Sequence, residues 1–277
     1  MDAISQYAVV GNPIKHSLSP QIHSLFAEET AQDLSYRALQ LDPGRFAEQV
    51  EKLKNAGFSG LNVTVPFKEE AWDLADKLSP RAQDAGAVNT LIFQQDGLIA
   101  GDNTDGIGLT RDLIVNLKIL IPHRKILILG AGGAVRGVLG PILAKKPGLL
   151  TIANRTVEKA EQLAQDFYHV WDIEPCGYGA LERQPSYDLI INGTSAGLKG
   201  EMPPIPQSVL GPNTICYDMI YDIHQPTTFV RWARDRGVVR AYDGLGMLVE
   251  QAAESFFIWR GVRPPTEPVM QALRNPA

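Results

Sequence analysis

The chain predicts an α/β protein containing a mainly parallel sheet, and three observations carry that expectation. At 277 residues it is long enough for two ordinary domains. Short apolar runs rich in branched residues alternate with segments of helical spacing along most of its length. Lys125 to Gly137, KILILGAGGAVRG, joins a buried strand to a helix through a glycine turn, the mechanics of a dinucleotide-binding fingerprint.

Taken in order, Tyr7 to Val10 reads as a strand ended by Gly11-Asn12-Pro13, Pro20 to Glu29 as a helix with Ser19 as its N-cap, and Tyr36 to Leu41 as a second strand. Phe46, Val50 and Leu53 give Arg45 to Ala56 a helical stripe that Gly57 stops. Leu61 to Val65 alternates as a strand ended by Pro66, and Phe67 to Leu78 reads as a helix burying Trp72, Ala75 and Leu78. Asp96-Gly97 between Val88–Phe93 and Leu98–Ala100 signals a hairpin. A helix over Ile107 to Leu117 leads into the fingerprint. Further strands are expected at Leu149–Ala153, near Val170–Cys176, and at Asp188–Ile191, Thr214–Asp218 and Val238–Tyr242, which is β-α alternation with helices on both faces of a parallel sheet. Gly244-Leu245-Gly246 then opens a helix running to about Trp259.

Composition narrows the class of function. Twenty-six basic and 31 acidic residues leave a net charge of -5, which argues against a general nucleic-acid surface. Cys176 and Cys216 are too few for a disulfide framework, and neither they nor His16, His23, His123, His169 and His224 show metal-ligand spacing, so no metal site is expected. No leader pattern opens the chain and no apolar run reaches membrane-spanning length, so the expected setting is cytoplasmic, without a membrane partner.

The glycine turn offers free backbone N–H groups at a helix N-terminus, which favours phosphate. In many such folds the following strand ends at an acid that holds a ribose 2'-hydroxyl. Here Leu149–Ala153 ends instead in Asn154-Arg155-Thr156, with Lys159 close by. Cationic and hydroxyl donors suit a 2'-phosphate, so the cofactor implied is NADP(H).

Four polar stretches in the first half fall where open α/β sheets place ligands, after strand ends and at helix starts. Ser17-Leu18-Ser19-Pro20 puts two hydroxyls at a helix N-terminus, able to serve a carboxylate, although local evidence by itself favours Ser19 as a plain N-cap and Ser17 as loop. In Asn62-Val63-Thr64-Val65-Pro66-Phe67-Lys68, Asn62 and Thr64 share a strand face, and Lys68 opens a helix, where the dipole disfavours a cation unless an anion compensates. Ala87-Val88-Asn89-Thr90 and Gly101-Asp102-Asn103-Thr104-Asp105-Gly106 complete the set. A turn there is able to aim Asp105 at Lys68 as proton donor and acceptor, while Asp102 reads as turn chemistry and Asp105 also as an N-cap.

SLSP, NVTVPFKEEA, GAVNT, GDNTDGIG, GAGGAVRGV, NRT, YDMIY and DGLGMLVEQAA, in this order across essentially the whole chain, resemble the shikimate dehydrogenases. The resemblance implies reversible NADPH-dependent reduction of 3-dehydroshikimate to shikimate, a step toward the aromatic amino acids. It implies an N-terminal α/β substrate domain, residues 1–105 completed by C-terminal helices within 246–277, and a Rossmann-type NADP-binding domain over 106–245. Lys68 and Asp105 would form the catalytic pair. Ser17, Ser19, Thr64 and Tyr221 would surround the substrate carboxylate, and Asn62, Asn89, Asp105 and Gln251 would hold ring hydroxyls. Gly130, Ala131, Gly132, Gly133, Ala134, Asn154, Arg155, Thr156, Lys159, Met219 and Gly244 would surround the cofactor. Lys159 stands where many relatives carry arginine, leaving a point charge in place of a planar fork. The expected partner is the small-molecule substrate, on a monomer or homodimer. Two other readings are a quinate/shikimate dehydrogenase preferring NAD, against which Asn154-Arg155-Thr156 speaks, and a non-catalytic nucleotide-binding regulator, against which Lys68 and Asp105 speak.

Overall fold

Two six-stranded sheets organise residues 4–275, the part of the chain that the computed structural model describes. They belong to two compact units, one formed by the chain up to Gly108 and from Leu248 onward, the other by Leu109 to Met247.

The first unit begins with β1 (Ser5–Gly11), α1 (Ser19–Thr30), β2 (Leu34–Gln40), α2 (Phe46–Asn55), β3 (Phe58–Val63) and α3 (Lys68–Leu74). It continues with β4 (Lys77–Leu78), α4 (Pro80–Ala85), β5 (Thr90–Phe93), β6 (Ile99–Asp102) and α5 (Asp105–Arg111). The sheet order is β2-β1-β3-β5-β6-β4. β1 runs parallel to β2 and β3, whereas β5 is antiparallel to β3 and β6, as the Asp96-Gly97 hairpin requires. Buried Val10, Phe46, Val50, Leu61, Phe67 and Leu91 form its core, joining alternate strand residues to the apolar stripe of α2.

Three local expectations need correction. Ser19 is the first residue of α1 rather than its N-cap; Leu18 holds that position without a side-chain bond, and Ser17 Oγ accepts from the Ser19 N–H at 3.3 Å. α3 stops at Leu74, and Leu78 lies in β4, because Asp76 exchanges bonds with Ile99 (its N–H to the Ile99 carbonyl and the Ile99 N–H to its carboxylate, both 2.8 Å) and draws the chain onto the open edge of β6. Pairing satisfies the backbone there as well as a continued helix would. A short helix, α4, then starts at Ser79, whose Oγ accepts from the Ala82 N–H at 3.2 Å with Pro80 beside it, a start signal that the apolar pattern had concealed.

The second unit holds β7 (Lys125–Leu129), α6 (Gly133–Leu143), β8 (Leu149–Ala153), α7 (Val157–Phe167), β9 (Glu174–Cys176), β10 (Tyr187–Asn192), β11 (Leu210–Asp218), α8 (Thr228–Arg234) and β12 (Arg240–Tyr242). Every pair in its sheet is parallel, in the order β12-β11-β10-β7-β8-β9. Strand order therefore reverses between β7 and β10, the switch point where doubly wound sheets open a crevice beyond their carboxyl ends. Ile126 and Ile128 face one core while Leu127 and Leu129 face the other, which is why β7 reads as an unbroken apolar run.

The helix expected over Ile107 to Leu117 is α5 followed by a π-helical turn, Asp112–Asn116. Buried Asp112 accepts from Asn116 Nδ2 at 2.9 Å and from the Tyr217 hydroxyl at 2.7 Å. α9 (Leu245–Arg260) and α10 (Glu267–Arg274) close the chain. Among the described residues no helix is long and apolar enough to cross a membrane.

Candidate active site

Lys68 is the first residue of α3 and Asp105 the first of α5, and Lys68 Nζ lies 2.6 Å from Asp105 Oδ2. The cation that was poorly placed at a helix start thus has its compensating anion. Asp105 is nearly buried, at 5% side-chain exposure, whereas the lysine keeps 26% and so faces open space. The other carboxylate oxygen accepts from Asn89 Nδ2 at 2.7 Å. Asn89 is itself fixed, donating to Thr104 Oγ1 at 2.9 Å and accepting from the Thr104 N–H at 2.9 Å. The Asp105 N–H donates to Asn103 Oδ1 at 3.1 Å. Three of the four polar stretches singled out from sequence therefore meet in one hydrogen-bonded cluster.

Asn62 joins it from β3. Its Nδ2 donates to the Asn89 carbonyl at 3.2 Å, to Thr90 Oγ1 at 3.2 Å and to Ser255 Oγ on α9 at 2.9 Å, while its Oδ1 accepts from the Tyr36 hydroxyl at 2.7 Å. Tyr36 stacks on His23 with ring centroids 4.0 Å apart and planes 5° apart. Burial raises the Tyr36 phenol well above its usual range, and the Ser19 hydroxyl works against that rise. Tyr36 thus relates Ser19 to Asn62, the expected carboxylate and hydroxyl ends of the substrate. Thr64 is anchored by its N–H to the Val10 carbonyl at 2.9 Å, and Gln251 is half-buried on α9, its carbonyl accepting from Ser255 Oγ at 3.2 Å. Tyr221 follows β11 in the other unit, with its phenol raised by burial.

Asp102 does more than turn chemistry, although its carboxylate does accept from the neighbouring Asn103 N–H at 2.7 Å. It ends β6 with its carboxylate accepting from Arg81 at 2.7 and 2.8 Å and from Ser79 Oγ at 2.5 Å, and Arg81 also donates to Glu254 on α9 at 3.1 Å. Arg263 pairs with the same glutamate. The network ties α4, β6 and α9 together, a long-range role that local sequence does not signal.

In the second unit a cavity of about 500 Å³ opens at the switch point. Gly130, Ala131, Gly132, Gly133 and Ala134 line it from the turn after β7, and Asn154, Arg155, Thr156 and Lys159 from the turn after β8. Gly130 has φ +103°, a conformation that disfavours any side chain, so the turn brings bare backbone to the cavity. Asn154 Nδ2 donates to the Thr156 carbonyl at 2.8 Å and holds this second turn closed. An α6 N-terminus beside an arginine and a lysine makes a donor set that fits a phosphorylated dinucleotide.

Met219 and Gly244 do not line this cavity; the Met219 N–H donates to the Asn192 carbonyl and the Gly244 N–H to the Ile220 carbonyl, each at 2.9 Å. Gly193 packs so tightly that a methyl group there would collide with Val135 and press on Met219. The sequence reading passed over Tyr178 and the run Gly193-Thr194-Ser195-Ala196, which also line the cavity. Asn-Gly-Thr-Ser directly after a buried strand was a signal of the kind used for the other stretches. Burial raises the Tyr178 phenol, opposed by the charge of Arg155. Among the described residues no group of three or more His, Cys, Asp or Glu gathers as metal ligands.

Family models match three parts of the chain: the shikimate dehydrogenase substrate binding domain over residues 9–91, shikimate / quinate 5-dehydrogenase over 115–199, and the shikimate 5'-dehydrogenase C-terminal domain over 244–274. The shikimate dehydrogenase (NADP(+)) of Alkalilimnicola ehrlichii is 54% identical over 269 residues, covering 97% of this chain and 98% of that protein. Among solved structures, an Ael1 enzyme from Pseudomonas putida superposes with a TM-score of 0.92 at 46% identity, covering 98% of this chain and 99% of its own. Shikimate 5-dehydrogenase from Thermus thermophilus, solved in complex with NADP(H) and shikimate, gives 0.85 at 32% identity, with coverage of 98% and 99%. With near-complete coverage of both chains at more than half identity, this chain belongs to the shikimate dehydrogenase family.

Proposed function

We propose that the chain is an NADP-dependent shikimate dehydrogenase, reducing 3-dehydroshikimate reversibly to shikimate. The observation that carries the reading is the 2.6 Å contact between Lys68 Nζ and Asp105 Oδ2, next to an Asn89 amide already oriented by that carboxylate. Bound NADPH supplies a hydride to the ketone carbon of the substrate. As negative charge develops on the ketone oxygen, the Lys68 ammonium stabilises it and delivers the proton. Asp105 keeps the ammonium aimed and, with Asn89 and Asn62, holds ring hydroxyls; in the reverse direction the same pair receives the hydroxyl proton.

Ser17, Ser19, Thr64 and Tyr221 bind the substrate carboxylate in this reading, and Gln251 a further hydroxyl. The residues up to Asp105 and the C-terminal helices serve the substrate, and 106–245 serve NADP. Arg155, Thr156 and Lys159 take the 2'-phosphate, the Gly130–Ala134 turn takes the pyrophosphate, and Met219 and Gly244 complete the cofactor's surroundings. The protein acts in the cytoplasm on a small-molecule substrate, as a monomer or homodimer. The test is nicotinamide absorbance with shikimate and NADP+: growth of the reduced band supports the reading, and a flat trace with active control enzyme refutes it. Faster growth with quinate and NAD+ would favour the NAD-preferring alternative.

A further inference from the structure

Asp218, the last residue of β11, is fully buried and has no part in the chemistry above. One carboxylate oxygen accepts from Asn192 Nδ2 at 2.9 Å and from the Ile220 N–H at 3.2 Å; the other accepts from Thr227 Oγ1 at 2.6 Å. Asn192, the last residue of β10, passes the constraint on: its Oδ1 accepts from the N–H and the hydroxyl of Thr194, at 3.2 and 2.8 Å. Thr194 lines the cavity, and Met219 donates its N–H to the Asn192 carbonyl. Two loops leaving adjacent strands are thus held from one carboxylate.

These partners are neutral donors, an unusual setting for a carboxylate in a core. Burial pushes its carboxyl up to about 6, against the pull of the three donors, and Asp243, the charged group facing it, adds to the rise. At neutral pH the ionised group carries a desolvation cost that these three bonds offset.

We propose that Asp218 is a positioning residue for cofactor binding, setting with Asn192 the loops that present Thr194 and Met219. The proposal rests on the NADP reading of the cavity. Asp218→Asn is isosteric: its Oδ1 serves Asn192 and Ile220, and its amide donates to Thr227 Oγ1, which also accepts from the Val230 N–H at 3.3 Å. Asp218→Ala abolishes all three bonds.

NADP+ affinity is measured calorimetrically for the parent and both variants, with thermal melts at about pH 4 and about pH 8. The expected result is about tenfold weaker NADP+ binding for Asp218→Ala, the scale of one charged hydrogen bond, and binding within about twofold for Asp218→Asn. Because the folded carboxyl holds its proton more tightly than the unfolded one, the parent's stability relative to Asp218→Asn falls as pH rises through about 6. Asp218→Asn therefore melts above the parent at about pH 8 and not at about pH 4. Should Asp218→Ala fail to fold, Asn192→Ala cuts the same link from the other strand, with the same loss expected. Alanine variants that bind NADP+ like the parent, or an asparagine variant as weak as the alanine one, overturn the assignment. If the parent itself binds no NADP+, the cavity reading falls first and this inference with it.

Discussion

Lys68 Nζ stands 2.6 Å from Asp105 Oδ2 across 37 residues of sequence, and Asn89 holds the second carboxylate oxygen in place. A cation at a helix start, a nearly buried anion and an amide that leaves the anion little freedom make a preorganised ion pair, the proton-transfer unit of the function proposed above. Replacing Lys68 by alanine should cut turnover by about a hundredfold or more, the usual contribution of a general acid, with shikimate affinity largely retained. Steady-state kinetics with a separate binding titration checks this, and near-normal turnover ends the assignment.

Arg155 lines the cavity beside Thr156 and Lys159. Arg155→Ala should weaken NADPH by about 1.5 to 3 kcal/mol, the scale of a charged hydrogen bond, and hardly affect NADH. Comparing KM for the two cofactors is the measurement; equal losses would remove the 2'-phosphate role.

Arg81 binds Asp102 through two nitrogens and reaches Glu254 with a third. Its removal leaves nearly buried Asp102 without a cation and Glu254 with Arg263 alone, so Arg81→Ala should destabilise the protein. The side chain is a quarter exposed, so the expected cost is about 2 kcal/mol, below that of a fully buried pair. Chemical denaturation reads this directly, and an unchanged midpoint would show that the network adds nothing.

His23 is buried with Nε2 unpaired, and burial lowers its imidazole to about 3, only partly offset by Asn62. The unfolded chain takes up this proton near pH 6.5, the folded one only near 3. The neutral ring therefore supports stability fully above about 6.5, and that support drains away at up to about 1.4 kcal/mol per pH unit as acid is added. His23→Gln should show a shallower loss between about pH 6.5 and 4 in paired denaturation curves. Parallel curves would mean that His23 does not carry the slope.

Local order was legible wherever chemistry acts over a few residues. The apolar run Lys125–Leu129, the glycine turn and the arginine after β8 disclose a strand, a helix start with free N–H groups and a cation beside it, since backbone geometry and donor type are short-range properties. Asp96-Gly97 likewise made the hairpin readable. Even Lys68 signalled an absent partner, because a cation at a helix N-terminus needs one.

Tertiary structure alone decided which groups meet. Leu78 carried a helix-compatible pattern but became an edge strand because Ile99, distant in sequence, offered backbone bonds to Asp76. Asp102 resembled a turn residue until Arg81 and Glu254 gathered around it, and Asp218 resembled any strand-end acid until Asn192, Ile220 and Thr227 converged on it. The residues by themselves determined strands, helices, the glycine turn and the charge beside it. Burial and hydrogen-bond partnership, which set the behaviour of Asp102, Asp218 and His23, arise between segments remote in the chain and exist only once those segments pack.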